Sequence, residues 1–189
     1  MSLLEKIRRR RSIGHVKPDM PPREWIEQML EAAVWAPNHH HTEPWRFHVL
    51  TGEARHKLGV IFAEIELEKL ENKDDPVTRL IAEKAAAKPL RAPVVITAIV
   101  EPQEGPKVEE IEEICAVAAG IQNMLLVADE LGLGAIWRSG DAVKHPKTRQ
   151  FFGVPDKGHI LGFIYVGYPD MPEREGVRTP HQEKTVWHE

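Results

Sequence analysis

The run APVVITAIV at residues 92–100 decides the fold class that this sequence predicts. It is continuously apolar, rich in β-branched side chains and flanked by a proline, a combination typical of a strand buried on both faces. We therefore expect this strand at the centre of a sheet. Three other runs have strand character: WRFHVL at 45–50, the start of GAIWRSGD at 134–141, and HILGFIYVGY at 159–168. Alternation in the first of these predicts a buried face formed by Trp45, Phe47 and Val49.

Helical patterns separate these strands. Ser2 and Glu5 have capping-box spacing and predict a short helix over residues 2–11. Two surface helices are predicted over residues 53–88, with a break near NKDDP, and another helix at PKTRQFFGVP. A further helix begins after Pro21-Pro22 and ends at Pro37, with a predicted buried stripe of Trp25, Ile26, Met29, Leu30, Ala33 and Val34. Strands separated by more numerous helices predict an α/β or α+β sandwich with one small sheet, in a single domain over residues 1–189.

The helix predicted at residues 109–131 differs from the others because it is apolar almost all round, through ICAVAAGIQNMLLVA, until Gly132 stops it. Such a helix has to be covered on every side. In a chain of 189 residues, a second subunit is the economical source of part of that cover. The sequence therefore predicts a homodimer.

Composition and charge argue against several classes of protein. The chain has 29 acidic and 25 basic residues, and this acidic excess disfavours general binding to nucleic acid or an anionic membrane. The one cysteine, Cys115, allows no internal disulfide, thiolate zinc cage or iron–sulfur cluster within one chain. Residues 1–12 place their charges after a short apolar stretch, the reverse of a secretory signal, and no later run is expected to span a membrane. We therefore expect a cytoplasmic protein.

The run APNHHHTEPWRF at residues 36–47 is rich in potential ligands. In an extended loop, His39, His41 and Glu43 would project to one side, and two imidazoles with a carboxylate could form a facial triad for a divalent metal. The chain has no His-Glu-x-x-His motif and no second histidine cluster with an obvious carboxylate. A solvated polar turn is therefore the favoured interpretation of these residues taken alone.

The run RRRRS at residues 8–12 has two interpretations. Arginines at a helix end complement the negative pole of the helix dipole or form a solvated face. Alternatively, Arg10, Arg11 and Ser12 hold one dianionic group, because guanidinium binds phosphate bidentately and a hydroxyl adds a donor. Nucleic acid is the less favoured anion, since no aromatic residues interleave with the arginines.

Two overlapping runs follow the apolar helix. GLGAIW at residues 132–137 is not a dinucleotide fingerprint, since Trp137 replaces the third glycine and the run leaves a helix for a strand. In WRSGD, Arg138, Ser139 and Gly140 stand at the end of a strand, where loops commonly bind ligands, while Asp141 is a candidate N-cap. The chain has no nucleophile elbow, paired-carboxylate motif or phosphate loop. An enzyme with this sequence would need a cofactor for the difficult step.

RRS at residues 10–12, APNHHHTEPWRF at 36–47 and GLGAIWRSG at 132–140 together resemble the nitroreductase family of flavin enzymes, most of all its short bacterial NAD(P)H nitroreductases. The similarity extends over nearly the whole chain in order and spacing. It implies an α+β fold, an α/β/α sandwich with a small central sheet flanked by helices, forming a homodimer with two FMN molecules at its interface. It also implies ping-pong transfer of hydride from NAD(P)H through FMN to a small acceptor such as a nitroaromatic or quinone.

The resemblance also implies flavin contacts at particular positions. The phosphate would be held by Arg10, Arg11 and Ser12, and the loop before PW would form a flavin wall. His39 is the best match in that loop, with Asn38 and His41 as neighbours. A further lining would come from Trp137, Arg138 and Ser139.

Some positions depart from the family pattern. Glu43 replaces a glutamine that commonly precedes PW, and its carboxylate would disfavour negative charge on a nearby flavin. Trp35 stands where related short members have a flavin-contacting arginine. The tail lacks a clear basic phosphate motif, for which Arg174 or Arg178 could substitute.

Three alternative functions follow from these residues. The first is a metal-dependent enzyme that uses His39, His41 and Glu43. The second is a flavin-binding protein without robust turnover, in which Glu43 and Trp35 have altered the site. The third is an interaction module that binds neither cofactor.

Overall fold

A four-stranded sheet, in the order β1-β2-β4-β3, forms the centre of the computed structural model, which describes residues 1–72, 75–173 and 175–189. The strands are β1 (Trp45–Leu50), β2 (Val94–Val100), β3 (Gly134–Arg138) and β4 (His159–Gly167). All three pairings are antiparallel. β2 is buried along its whole length between β1 and β4, which confirms the central strand expected from its sequence.

Seven α-helices lie in the part of the chain that the structure describes. They are α1 (Leu3–Arg9), α2 (Arg23–Val34), α3 (Gly52–Glu68), α4 (Pro76–Ala86), α5 (Glu110–Glu130), α6 (Asp141–Lys144) and α7 (Pro146–Phe151). The predicted break between two helices near NKDDP separates α3 from α4, although Lys73 and Asp74 of that run lie outside the described residues.

Helices cover both faces of the sheet. Val94, Ile96, Ala98 and Val100 of β2 pack into a core with α2 and α5. Val95 and Ile99 point the other way, into a second core with α3, α4 and α6. This alternation follows from the two-residue period of a strand, and it confirms the α+β class and the α/β/α layering.

The long helix α5 is central to the first core, where Val117, Ile121 and Met124 are fully buried. Contrary to the expectation from the sequence, α5 is long and apolar enough to cross a membrane by length and composition. However, 44% of its most apolar window is buried inside the protein, and the core helix of a soluble protein passes the same test. Its remaining surface includes the exposed Ile111 and Cys115.

Two predicted burial patterns are wrong at their ends. In β1, Val49 is exposed and Leu50 is buried, because the alternation places Leu50 toward α3 while Val49 borders an open cavity at the start of α2. In α2, the predicted stripe holds at Ile26, Met29 and Ala33, but Val34 is exposed at the last helical position.

Helix α1 buries no side chain, and ion pairs connect it to the end of α5. Ser2 and Glu5 form the predicted capping box, while Lys6 pairs with Glu130 at 2.5 Å and Arg9 with Asp129 at 3.2 Å. The helix ends at Arg9, so Arg10 and Arg11, which were predicted to lie in its last turn, follow the helix instead.

We expect Ser2→Ala to increase the amide hydrogen exchange of α1 about fivefold, since losing an N-cap destabilises a helix by about 1 kcal/mol. Global unfolding should change little, because α1 contributes nothing to either core. Site-resolved hydrogen exchange with a thermal melt tests both statements. Equal protection of α1 in the variant and the wild type would contradict the role of the cap.

Candidate functional site

The segment that follows α1 turns back along the sheet and positions two arginines. The Ile13 N–H donates to Ala135 O of β3 at 3.0 Å, and the Lys17 N–H donates to Tyr168 O at 2.8 Å. A cavity of about 700 Å³ opens beside this segment. Its lining includes Arg8, Arg9, Arg10, Arg11, Asp129, Leu133, Ala135, Glu173 and Glu175.

In this cavity, which we call the arginine cavity, the surroundings of Arg10 disfavour its charged form. Partial burial lowers the pKa of its guanidinium, and the charges of Arg11 and Arg178 lower it further, whereas Asp129 acts in the opposite direction. Cations that are crowded and partly removed from water favour binding of an anion. Arg10 and Arg11 therefore lie at a cavity that also has carboxylates in its lining, and their role as an anion pocket stays a prediction.

The remaining residues of the predicted anion site have different positions. Ser12 is exposed and does not line the arginine cavity. Arg178, one of the two tail arginines suggested in place of a basic phosphate motif, lies close enough to affect Arg10 electrostatically. The other, Arg174, lies outside the described residues. Arg9 faces the cavity but is paired with Asp129.

Trp137, Arg138 and Ser139 line a second cavity, of about 410 Å³, on the other side of the β3 end. The Trp137 indole N–H donates to Leu161 O at 3.0 Å. The guanidinium carbon of Arg138 lies 5.8 Å from the ring centre of Tyr165, within the range of a cation–π contact. This tryptophan cavity therefore brings together an indole ring, a hydroxyl and a cation, and their contact with a flavin stays a prediction.

Three further residues of the tryptophan cavity were not predicted: Lys88, Arg91 and Tyr165. Burial raises the pKa of the Tyr165 phenol, although the charges of Arg138 and Arg91 partly oppose that effect. Lys88 and Arg91 stand three residues apart in the turn Lys88–Arg91, just before the central strand. The sequence shows two cations three residues apart before a buried strand, but only the folded chain shows that both line the cavity at the end of β3.

Gly162 on β4 makes room for this arrangement. Its φ of +151° is rarely adopted by other residues, and it lies where the β2–β4 register is irregular. A Cβ atom at this position would lie 2.5 Å from Arg138 O and closer still to Trp137 Nε1. The position of Trp137 therefore depends on the absence of a side chain at Gly162.

The predicted N-cap role of Asp141 is wrong. Gly140 is the N-cap of α6, and Asp141 is the first residue of that helix. The Asp141 carboxylate accepts a hydrogen bond from Lys69 Nζ at 3.2 Å instead. This contact ties the loop after β3 to the end of α3.

The loop before PW is not extended, which overturns the geometry expected for a metal triad. His39–His41 form a 3₁₀ turn, and φ is +55° at His40, +52° at His41 and +48° at Glu43. Within the described residues, no group of three or more His, Cys, Asp or Glu side chains is placed to hold a metal ion. His39, His41 and Glu43 therefore do not form the facial triad of the metal-dependent alternative.

The loop is strained and is held by side chains. Each non-glycine residue in a left-handed conformation costs about 1 kcal/mol or more. Asn38 Oδ1 accepts the Glu43 N–H at 3.1 Å, which closes the loop. His39 Nε2 lies 4.0 Å from Glu112, and the His39 and His40 ring centres are 3.9 Å apart.

Asn38 and His39 line a third, shallow opening of about 490 Å³, the histidine groove, together with Pro37, Ile111, Glu112, Cys115, Ala116 and Ala119. His41 is exposed and does not line it. Trp35 and Glu43, the two departures from the family pattern, are also exposed. The predicted site residues of one chain thus lie at three separate openings.

Comparison with known proteins decides the family. The model of the nitroreductase family matches residues 7–168. The chain belongs to the nitroreductase family. Its relatives include YdjA of Escherichia coli K12 and YfhC of Bacillus subtilis, both provisionally named NAD(P)H nitroreductases. YdjA is 30% identical over 180 residues, covering 95% of each chain. YfhC is 32% identical over 182 residues, covering 96% of this chain and 92% of its own.

Solved structures in this family share the fold. A nitroreductase-like protein from Bacillus cereus superimposes with a TM-score of 0.84 at 28% identity, covering 100% of this chain and 97% of that one. A nitroreductase with bound FMN from Bacteroides fragilis gives a TM-score of 0.75 at 22% identity, with both chains fully covered. Both comparisons agree with the sandwich described above.

Proposed function

We propose that this protein is an FMN-dependent oxidoreductase that takes hydride from NAD(P)H and reduces a small acceptor, such as a nitroaromatic or quinone, by ping-pong turnover. Membership of the nitroreductase family and the names of its relatives support the proposal. The observation that carries it is the position of the partly buried Arg10 and of Arg11 at one cavity, with the charge of Arg178 close enough to act on Arg10. We further propose one domain over residues 1–189 and a cytoplasmic location.

The chemistry of the arginine cavity and of the tryptophan cavity fits the parts of FMN. Arg10 and Arg11 would hold the dianionic phosphate, whose charge would offset their mutual repulsion. Ser12 remains a predicted further donor. When bound, FMN supplies the hydride-transfer chemistry for which side chains are unsuited.

The tryptophan cavity would position the flavin ring and make the site electrostatically positive. Because the Trp137 indole N–H is already bonded to Leu161 O, Trp137 would offer its apolar ring rather than a hydrogen-bond donor. Among the described residues, Arg91 and Arg138 form no ion pair with a carboxylate, so their charges are not neutralised locally. Lys88 lies 3.8 Å from Glu66. These cations would favour negative charge in the cavity.

A homodimer would join the three openings. Apolar side chains remain exposed in α1, at Trp35, along α5 at Ile111 and in the tail at Trp187, which is 83% exposed. A second copy of the chain would cover such surfaces. We propose that pairing brings the histidine groove of one copy to the arginine cavity of the other, so that Asn38, His39 and His41 border a flavin held there.

The visible absorption spectrum tests the proposed function. After incubation with FMN and removal of excess, we expect flavin bands that bleach when NADH or NADPH is added anaerobically, and that return when a quinone is added. Comparing the two nucleotides also gives the donor preference. The absence of bound flavin would reject the proposal, and bands that do not bleach would support the binding protein without turnover.

A further inference from the structure

Glu113, in the first turn of α5, is a buried carboxyl group outside all three openings. The residue is 1% exposed. One carboxyl oxygen accepts the Thr42 hydroxyl at 2.5 Å, and the other accepts the Gln103 N–H at 3.2 Å. In the described part of the chain it forms no ion pair with a cation. Its burial is therefore offset by two neutral donors, and Thr42 is the nearer of them.

Thr42 occupies a special place in the strained loop. It has a right-handed helical conformation, φ −71° and ψ −26°, between His41 and Glu43, which are both left-handed. A glycine would adopt the left-handed conformation without strain, but the run from His40 to Glu43 contains none. Side-chain contacts have to select this conformation, because the backbone preferences of these residues oppose it. Within the loop, the Thr42 hydroxyl lies 3.2 Å from His39 O, and the shorter contact of the same hydroxyl, with Glu113, comes from outside the loop.

Other contacts fix the ends of the loop. Asn38 bonds to the Glu43 N–H, and Pro44 O accepts the Glu101 N–H at 2.7 Å, next to the pairing of Trp45 with Val100. Glu113 instead reaches the middle of the loop. Through Gln103 it also anchors the segment that follows β2, so one carboxyl group joins the loop, that segment and α5.

We propose that Glu113 is a positioning residue that selects the conformation of the loop through Thr42 and thereby sets the place of His39 in the histidine groove. Glu113 does not itself line the groove, so it acts through the loop. The consequence for flavin binding rests on the proposed function. The consequence for the loop does not.

Two matched substitutions test this role. Glu113→Gln keeps the size of the side chain. Glutamine has one oxygen and one NH₂ group, so it accepts a hydrogen bond from either Thr42 or Gln103 and turns an amide donor toward the other. Thr42→Val keeps the shape of the partner and removes its hydroxyl, and with it both the contact with Glu113 and the weaker one with His39 O. Glu109→Gln is the control, because Glu109 is exposed at the start of the same helix and the variant loses the same charge.

The direct readout is the set of histidine side-chain resonances in flavin-free, ¹⁵N-labelled protein, assigned by single substitutions of His39 and His40. We expect Glu113→Gln and Thr42→Val to shift both signals and Glu109→Gln to leave them in place. We also expect the two variants to weaken FMN binding about tenfold, with the double variant no weaker than the stronger single effect, because both remove the hydrogen bond between Thr42 and Glu113.

The outcomes separate positioning from plain stability. Lower melting temperatures with unshifted His39 and His40 resonances would overturn the proposal, as would additive effects of the two substitutions. If Glu113→Gln does not fold, Thr42→Val alone decides, since it breaks the same hydrogen bond from the loop side. If the wild type binds no FMN, the proposed function is wrong. The histidine resonances are measured without flavin, so they still test whether Glu113 sets the conformation of the loop.

Discussion

Replacing Arg10 and Arg11 together with alanine is expected to weaken FMN binding by more than about 100-fold while leaving the chain folded. Each hydrogen bond to a charged group contributes about 1.5–3 kcal/mol, so the loss of two exceeds a factor of 100. The flavin-free protein should tolerate Arg10→Ala well, because burial and the neighbouring arginines already disfavour the charged form of Arg10. Quenching of FMN fluorescence measures the affinity, and a thermal melt measures the fold.

Arg23→Ala is the matched control for this experiment. It removes the same kind of side chain from the surface of α2, where Arg23 pairs with Glu27. Its FMN affinity should equal that of the wild type. Unchanged affinity in the Arg10 and Arg11 variant would place the phosphate elsewhere, and equal losses in all variants would indicate a nonspecific effect of charge.

The second large effect is expected at Gly162. Gly162→Ala should lower the free energy of unfolding by about 3 kcal/mol or more, because the new methyl group combines backbone strain with a collision against Trp137 and Arg138 O. Urea denaturation gives the change in stability. The near-ultraviolet circular dichroism of the folded fraction reports the displacement of Trp137.

Gly140→Ala separates strain from collision. Its φ, +147°, is close to that of Gly162, but a Cβ atom there would meet nothing within 4 Å. We expect it to cost about 1–2 kcal/mol, the strain alone. Equal losses in the two variants would show that the space occupied by Trp137 does not depend on Gly162.

The layers of the fold were predictable because they follow from local patterns. A continuous β-branched run such as residues 92–100 can only be accommodated between two covered faces, and the structure places it there. The capping box at Ser2 is equally local. Val49 and Leu50 were assigned to the wrong environments because burial at the end of an edge strand depends on which helix passes over it.

The candidate site was predictable only in part. Three runs gave the family, and the structure places Arg10, Arg11 and the Trp137 run at cavities. The left-handed residues at His40, His41 and Glu43 could not be predicted, because side-chain contacts override the backbone preferences of histidine and glutamate. Glu113 was equally hidden, since a glutamate near the start of a helix usually serves the helix dipole. Its partner is 71 residues away in sequence.

The distribution of the candidate contacts over three openings has a consequence for how this protein would behave in a cell. If pairing completes the site, as proposed, a lone copy is a correctly folded but unfinished catalyst. At low expression, the total enzymatic activity would then rise more steeply than the concentration of the chain. A copy damaged at one opening would also impair the site that it shares with an intact copy.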